Sequence, residues 1–76
     1  MVVKAYVLLE TEPTLTQEAV EEVRRVEGVK TAESVTGPYD IIVTIEVATI
    51  DDIASVLRQI RSASGINKTT TLIRLR

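Results

Sequence analysis

Apolar residues recur along this chain with two alternating periods, and the alternation sets out the element order. Residues 2–10 (VVKAYVLLE) are rich in β-branched and aromatic side chains and run into Thr-Glu-Pro, which predicts a strand. Val3, Ala5, Val7 and Leu9 fall on one face, and Val2, Lys4, Tyr6 and Leu8 on the other. Both faces are largely apolar, whereas a strand with one solvated face alternates more cleanly. The second face is therefore expected to be covered, and a chain of 76 residues has little of its own to cover it with.

Residues 14–28 (TLTQEAVEEVRRVEG) switch to helical spacing. Leu15, Ala19, Val23 and Val26 form one stripe, Thr14 and Gln17 fit a capping box, and Gly28 suits a left-handed cap. Residues 29–35 (VKTAESV) predict a less apolar strand at or near a sheet edge. Residues 36–40 (TGPYD) turn the chain, and residues 39–47 (YDIIVTIEV) predict a third strand. It has Ile41, Val43, Ile45 and Val47 on one face, and Asp40, Ile42, Thr44 and Glu46 on the other. Residues 49–65 (TIDDIASVLRQIRSASG) predict a second helix with its stripe on Ile50, Ile53, Leu57 and Ile60. Thr49 suits its N-cap, Asp51 and Asp52 the positive end of its dipole, Arg58 and Arg61 the negative end, and Gly65 its close. Residues 66–76 (INKTTTLIRLR) complete the set as a fourth strand.

The order β-α-β-β-α-β, with two halves that echo each other, is the ferredoxin-like split βαβ pattern. It predicts an α+β sandwich: a four-stranded antiparallel sheet with both helices on one face, because crossovers of one hand place them there. The other face keeps Val2, Tyr6 and Leu8. An uncovered apolar face of that kind points to a dimer.

Composition narrows the function classes. The length bounds the chain to one domain near the lower end of what folds alone. There is no Cys and no His, so disulfides and the usual zinc, iron and copper sites drop out and no metal or cofactor is expected. Self-association is the remaining aid to a small core. The formal charge is −2 with acids and bases scattered, and Tyr6 and Tyr39 are the two aromatics. A basic stripe and stacking aromatics are therefore missing, and direct nucleic-acid binding is not expected. The opening residues are too short and too interrupted for a signal peptide or membrane span, so a soluble cytoplasmic protein is expected. Phosphate loops and nucleophile elbows are absent. Asp51 and Asp52 are adjacent on a helix, diverge by about 100° and suit the cap region rather than a catalytic pair. An enzyme is not expected. A small ferredoxin-like isomerase or oxygenase would need acid–base residues facing a pocket, with Tyr6, Tyr39 and the carboxylates as candidates.

Two stretches remain chemically distinctive. In residues 36–40, Gly37 permits unusual backbone angles and Pro38 stiffens the loop. The amides of Gly37, Tyr39 and Asp40 are able to take a carboxylate, and the Asp40 carboxylate an ammonium, a set complementary to a free α-amino acid. The alternative is a plain hairpin with Asp40 bonding its own backbone. In residues 67–72 (NKTTTL), Thr69 and Thr71 share a face while Thr70 points away, so two hydroxyls are presented together. Threonine runs also reflect β propensity alone.

The chain as a whole (residues 1–76), and most clearly residues 26–73, resembles the effector domain of the Lrp/AsnC transcription regulators, the RAM domain. The resemblance is carried by TGPYD and its following strand, by SASGI at the helix end, and by KTTTLI. It implies sheet-to-sheet dimers that assemble into octamers or similar rings, with amino-acid effectors held in clefts between dimers. By matching position it implies Gly37, Tyr39, Asp40, Thr69 and Thr71 as ligand-binding residues, with Thr70 less firmly placed. Regulators of this family usually carry a helix-turn-helix before the domain. Here the first strand begins at Val2, so a stand-alone effector domain or a fragment is expected, without direct DNA binding. It would join full-length relatives through mixed oligomers. The other binding readings are a ligand-independent oligomerisation scaffold and an ACT-like domain, whose match to TGPYD is poorer.

If the open face is the dimer contact, replacing Tyr6 or Leu8 with a charged residue breaks the dimer. Sedimentation velocity reads this directly, and an unchanged assembly counts against the face assignment.

Overall fold

The computed structural model describes residues 2–76. Its elements are β1 (Val3–Thr11), a 3-10 turn (Pro13–Leu15), α1 (Thr16–Arg24), β2 (Val29–Ser34), β3 (Ile41–Val47), α2 (Ile50–Arg61) and β4 (Ile66–Ile73). The strands form one antiparallel sheet in the order β2-β3-β1-β4, so the expected α+β, ferredoxin-like βαββαβ architecture is the one formed. The strand apolar on both faces, β1, sits inside the sheet, and β2, with only Ala32 buried, lies at an edge.

One face of the sheet makes the core. Ala5, Val7 and Leu9 pair in register with Ile45, Val43 and Ile41, and all six are fully buried. Above them α1 contributes Ala19, Val20 and Val23, and α2 contributes Ile53, Val56 and Ile60. Each of the larger side chains contributes roughly 1.5–3 kcal/mol through removal from water.

The helix starts differ in how they are built. At α2 the capping box is complete: the Asp52 amide donates to Thr49 Oγ1 at 3.3 Å, and the Thr49 amide to Asp52 Oδ2 at 3.2 Å. At α1 the expected Thr14–Gln17 box does not form. Pro13, fixed at φ values suited to a first turn, starts the 3-10 turn one residue earlier and puts Thr14 inside it. Gln17 Nε2 donates instead to Glu21 Oε2 at 3.1 Å. The other end also comes early: α1 stops at Arg24, where the Arg25 amide donates to the Glu22 carbonyl and the Val26 amide to the Val23 carbonyl, both at 3.1 Å, and Gly28 lies in the turn leading to β2. The α2 stripe is centred on Ile53, Val56 and Ile60, which turns Ile50 to the flank, where it is 55% exposed rather than buried as its spacing suggested.

The second half of the chain is tied to the first at Gly65. Its carbonyl accepts the Glu12 amide at 2.9 Å, its φ is +77°, and a Cβ there would lie 2.6 Å from Leu15 Cβ. Gly37 has φ +138° but open space around it. Gly65→Ala is therefore expected to cost about 2–3 kcal/mol and Gly37→Ala about 1 kcal/mol, the first adding a clash to backbone strain. Urea unfolding checks the order, and equal losses would contradict it.

Candidate functional site

The TGPYD turn stands at the end of the sheet where β1 stops and β3 starts, and Asp40 is held there by three hydrogen bonds. Its amide donates to the Leu9 carbonyl at 2.8 Å and its carbonyl accepts the Val35 amide at 2.9 Å. Its Oδ2 accepts the Thr11 amide at 2.8 Å. The side chain thus bonds backbone on β1, not the backbone of its own turn as a plain hairpin would have it.

The Thr11 amide needs that acceptor because the β1–β4 ladder shifts register between Glu10 and Thr11. A buried amide without a partner costs free energy comparable to a lost hydrogen bond, and Thr11 is only 5% exposed. Its hydroxyl lies 2.6 Å from Thr16 Oγ1, at the first residue of α1. The next residue, Glu12, bonds Gly65 just before β4. The irregular end of β1 therefore joins the turn, the start of α1 and the start of β4. Asp40 Oδ1 is left without a hydrogen-bond partner among the described residues.

The threonines lie across β1 from the turn. Thr69 and Thr71 pair with Leu9 and Val7, which puts both hydroxyls on the helix side of the sheet, while Thr70, opposite Leu8, faces the open side. The predicted sharing of a face by Thr69 and Thr71 is what the register gives. Arg61, read from the sequence only as a partner for the α2 dipole, also reaches this place: its Nε donates to Thr69 Oγ1 at 3.4 Å. Arg61, Lys68 and Thr69 help to line a depression of about 150 Å³ that includes no residue of the turn. Strands are about 4.8 Å apart, so β3 and β4, on either side of β1, are roughly 10 Å apart. Within one chain Gly37, Tyr39 and Asp40 form one group, and Thr69, Thr71 and Arg61 another.

The open face of the sheet carries an apolar centre. Tyr6 and Leu8 pair with Leu72 and Thr70 on one side and with Thr44 and Ile42 on the other. Opposite charges pair beyond it at both ends, Lys4 with Glu46 and Glu10 with Lys68, and Lys4 Nζ sits 5.6 Å from the Tyr6 ring centroid. Val2, expected on this face, is exposed. Among the described residues no group of three or more His, Cys, Asp or Glu side chains is placed to hold a metal. No helix among them is long and apolar enough to cross a membrane.

The comparisons agree with this fold. The family model described as the Lrp/AsnC ligand binding domain matches residues 4–76, and the chain belongs to that family. A hypothetical protein of Pyrococcus horikoshii, PHS023, is 32% identical with a TM-score of 0.86, the match covering 100% of this chain and 92% of that one. The TTHA0845 protein of Thermus thermophilus is 28% identical with a TM-score of 0.92, over 97% and 94% of the two chains. E. coli AsnC is 25% identical with a TM-score of 0.89 over 97% of this chain, which spans only 51% of that regulator. None of the curated protein sequences matches.

The bond to Thr11 makes a prediction about Asp40 that is independent of any ligand. Asp40→Ala strands a buried amide and is expected to cost about 1–3 kcal/mol. Asp40→Asn keeps an oxygen acceptor and should cost less than half as much. Chemical denaturation of the two variants distinguishes them, and an alanine variant as stable as the asparagine one would contradict the assignment.

Proposed function

We infer that this chain is a non-enzymatic sensing module that binds a small amino acid between copies of itself and alters transcription regulation through its assembly. The observation that carries the reading is the division of the site. An α-amino acid presents its ammonium and carboxylate on one carbon. The turn offers Asp40 and the Gly37 and Tyr39 amides, while the stronger donors for a carboxylate, Arg61 with the Thr69 and Thr71 hydroxyls, stand apart on the helix side of β4. A second copy, bringing its threonine strand to the first copy's turn, would unite them. In that cleft Asp40 Oδ1 takes the ammonium while Oδ2 stays on Thr11. The Gly37 and Tyr39 amides, or Arg61 beside the Thr69 and Thr71 hydroxyls, take the carboxylate. Guanidinium suits a carboxylate by its paired donors.

Family membership supports the ligand class. The structure of the M. tuberculosis feast or famine regulatory protein was determined in complex with L-methionine; that protein is 23% identical over 97% of this chain, which spans 50% of it, with a TM-score of 0.82. The open face supports the assembly, since its apolar centre and charged ends have the anatomy of an interface, with an apolar core inside a polar rim. Partners on this reading are further copies of the chain and full-length relatives carrying the same domain, in the cytoplasm. An amino acid changes the assembly only as far as it binds one state better than another.

Calorimetric titration with each of the common amino acids tests this. At least one is expected to bind, with affinity falling at least tenfold in Asp40→Asn and falling again in Thr69→Val, while thermal unfolding shows both variants folded. Absence of binding by every amino acid, or binding unchanged in Asp40→Asn, would remove the proposed site and leave the ligand-independent scaffold as the better reading.

A further inference from the structure

Thr16 opens α1 but does not cap it. A threonine at a helix start ordinarily accepts a hydrogen bond from an amide of the first turn. Here Leu15 holds the cap position, without a side-chain hydrogen bond, and the Thr16 hydroxyl turns back along the chain. Its Oγ1 lies 2.6 Å from Thr11 Oγ1, and at the longer distances of 3.4 and 3.5 Å from the Pro13 and Glu12 carbonyls. The short contact matters because Thr11 is buried, and a buried hydroxyl left without a partner is costly. Thr11 thus relies on Thr16 at its hydroxyl and on Asp40 Oδ2, 2.8 Å away, at its amide. It sits just past the register shift of the β1–β4 ladder, so these two bonds stand in for regular pairing.

Thr16, Thr11 and Asp40 therefore form one chain of hydrogen bonds, and its far end is the Asp40 carboxylate. The last torsion of a carboxylate side chain is broad and roughly two-fold, so a free Asp40 would present its oxygens in many directions. The Thr11 amide removes that freedom by holding Oδ2, which leaves Oδ1 in one place. A group already ordered gives up less entropy when a ligand binds. We propose that Thr16 is a positioning residue for amino-acid binding: it fixes Thr11, whose amide fixes the Asp40 carboxylate with Oδ1 turned to the ligand. The proposal rests on the site inferred above. Among the described residues Thr16 hydrogen-bonds none of the groups assigned to the ligand, and it acts through Thr11.

Two-dimensional NMR of the ligand-free full chain tests the link from Thr16 to Asp40. The Thr11 amide proton, on a short bond to a carboxylate, is expected well downfield. Asp40→Ala should move it upfield, Thr16→Val should move it the same way, and Thr16→Ser, which keeps the hydroxyl, should leave it in place. The Glu12 amide, bonded to the Gly65 carbonyl, should stay put in the two Thr16 variants, whereas a general loosening of this end of β1 would move both amides. Valine keeps the branched shape at this half-buried place, so Thr16→Val is expected to fold. Calorimetric titration with the common amino acids tests the link to binding. Whichever binds wild type is expected to bind Thr16→Val roughly two- to tenfold more weakly, and Thr16→Ser as wild type does. A Thr11 amide unmoved in Thr16→Val, a Glu12 amide that moves as far, or an affinity unchanged in Thr16→Val overturns the proposal. Absence of binding by wild type removes the sensing site itself, while the Thr11 amide still decides whether Thr16 places Asp40.

Discussion

Two short helices can cover one face of a four-stranded sheet and no more, and the rest of this structure follows from that limit. The helices cover the face with Ala5, Val7 and Leu9 on β1 and Ile41, Val43 and Ile45 on β3, all fully buried. The reverse face of the same strands carries Tyr6, Leu8 and Ile42, half-buried only by their sheet neighbours. A chain of this size sits near the lower limit for an independent core. Its chemistry is accordingly sparse inside and concentrated at surfaces: the open sheet face and the TGPYD end.

The TGPYD end is where fold and proposed function meet. Asp40 accepts the Thr11 amide at the irregular end of β1, and that short stretch also holds Gly65 at the entry to β4. On the proposed reading, a ligand ammonium drawn to Oδ1 acts on a carboxylate already bound to the segment that joins β3, α1 and β4. Occupancy would then be felt at the strand bearing Thr69 and Thr71 without any large movement. Close-packed interiors have low compressibility and transmit strain.

Most of the fold was legible because period and burial agree. The alternation in β3 and the two-sided apolar run of β1 gave the strand faces, and Thr49 marked the start of α2. The misses have local causes. Pro13 opened a 3-10 turn that takes in Thr14 and left α1 to start at Thr16, between the two members of the Thr14–Gln17 pair. Ile50 and Val56 exchanged roles because a stripe read from spacing does not say how a helix is rotated on its sheet. In the site, residues Gly37 to Asp40 and Thr69 to Thr71 stood out by type and pattern. Thr11 and Arg61 did not, since a register shift and a contact between α2 and β4 are properties of pairing that no single segment displays. That Asp40 bonds the β1 backbone was likewise hidden, because its partner lies 29 residues away.

On the proposed reading, the amino-acid site exists only between copies. Native mass spectrometry of the intact protein in an amino-acid mixture tests it most directly, because stoichiometry and bound ligand are read in one spectrum. An amino acid is expected to be retained by assemblies of two or more copies, at no more than one per copy, and to be absent from the monomer. A monomer that holds the amino acid, or assemblies that never do, would contradict it.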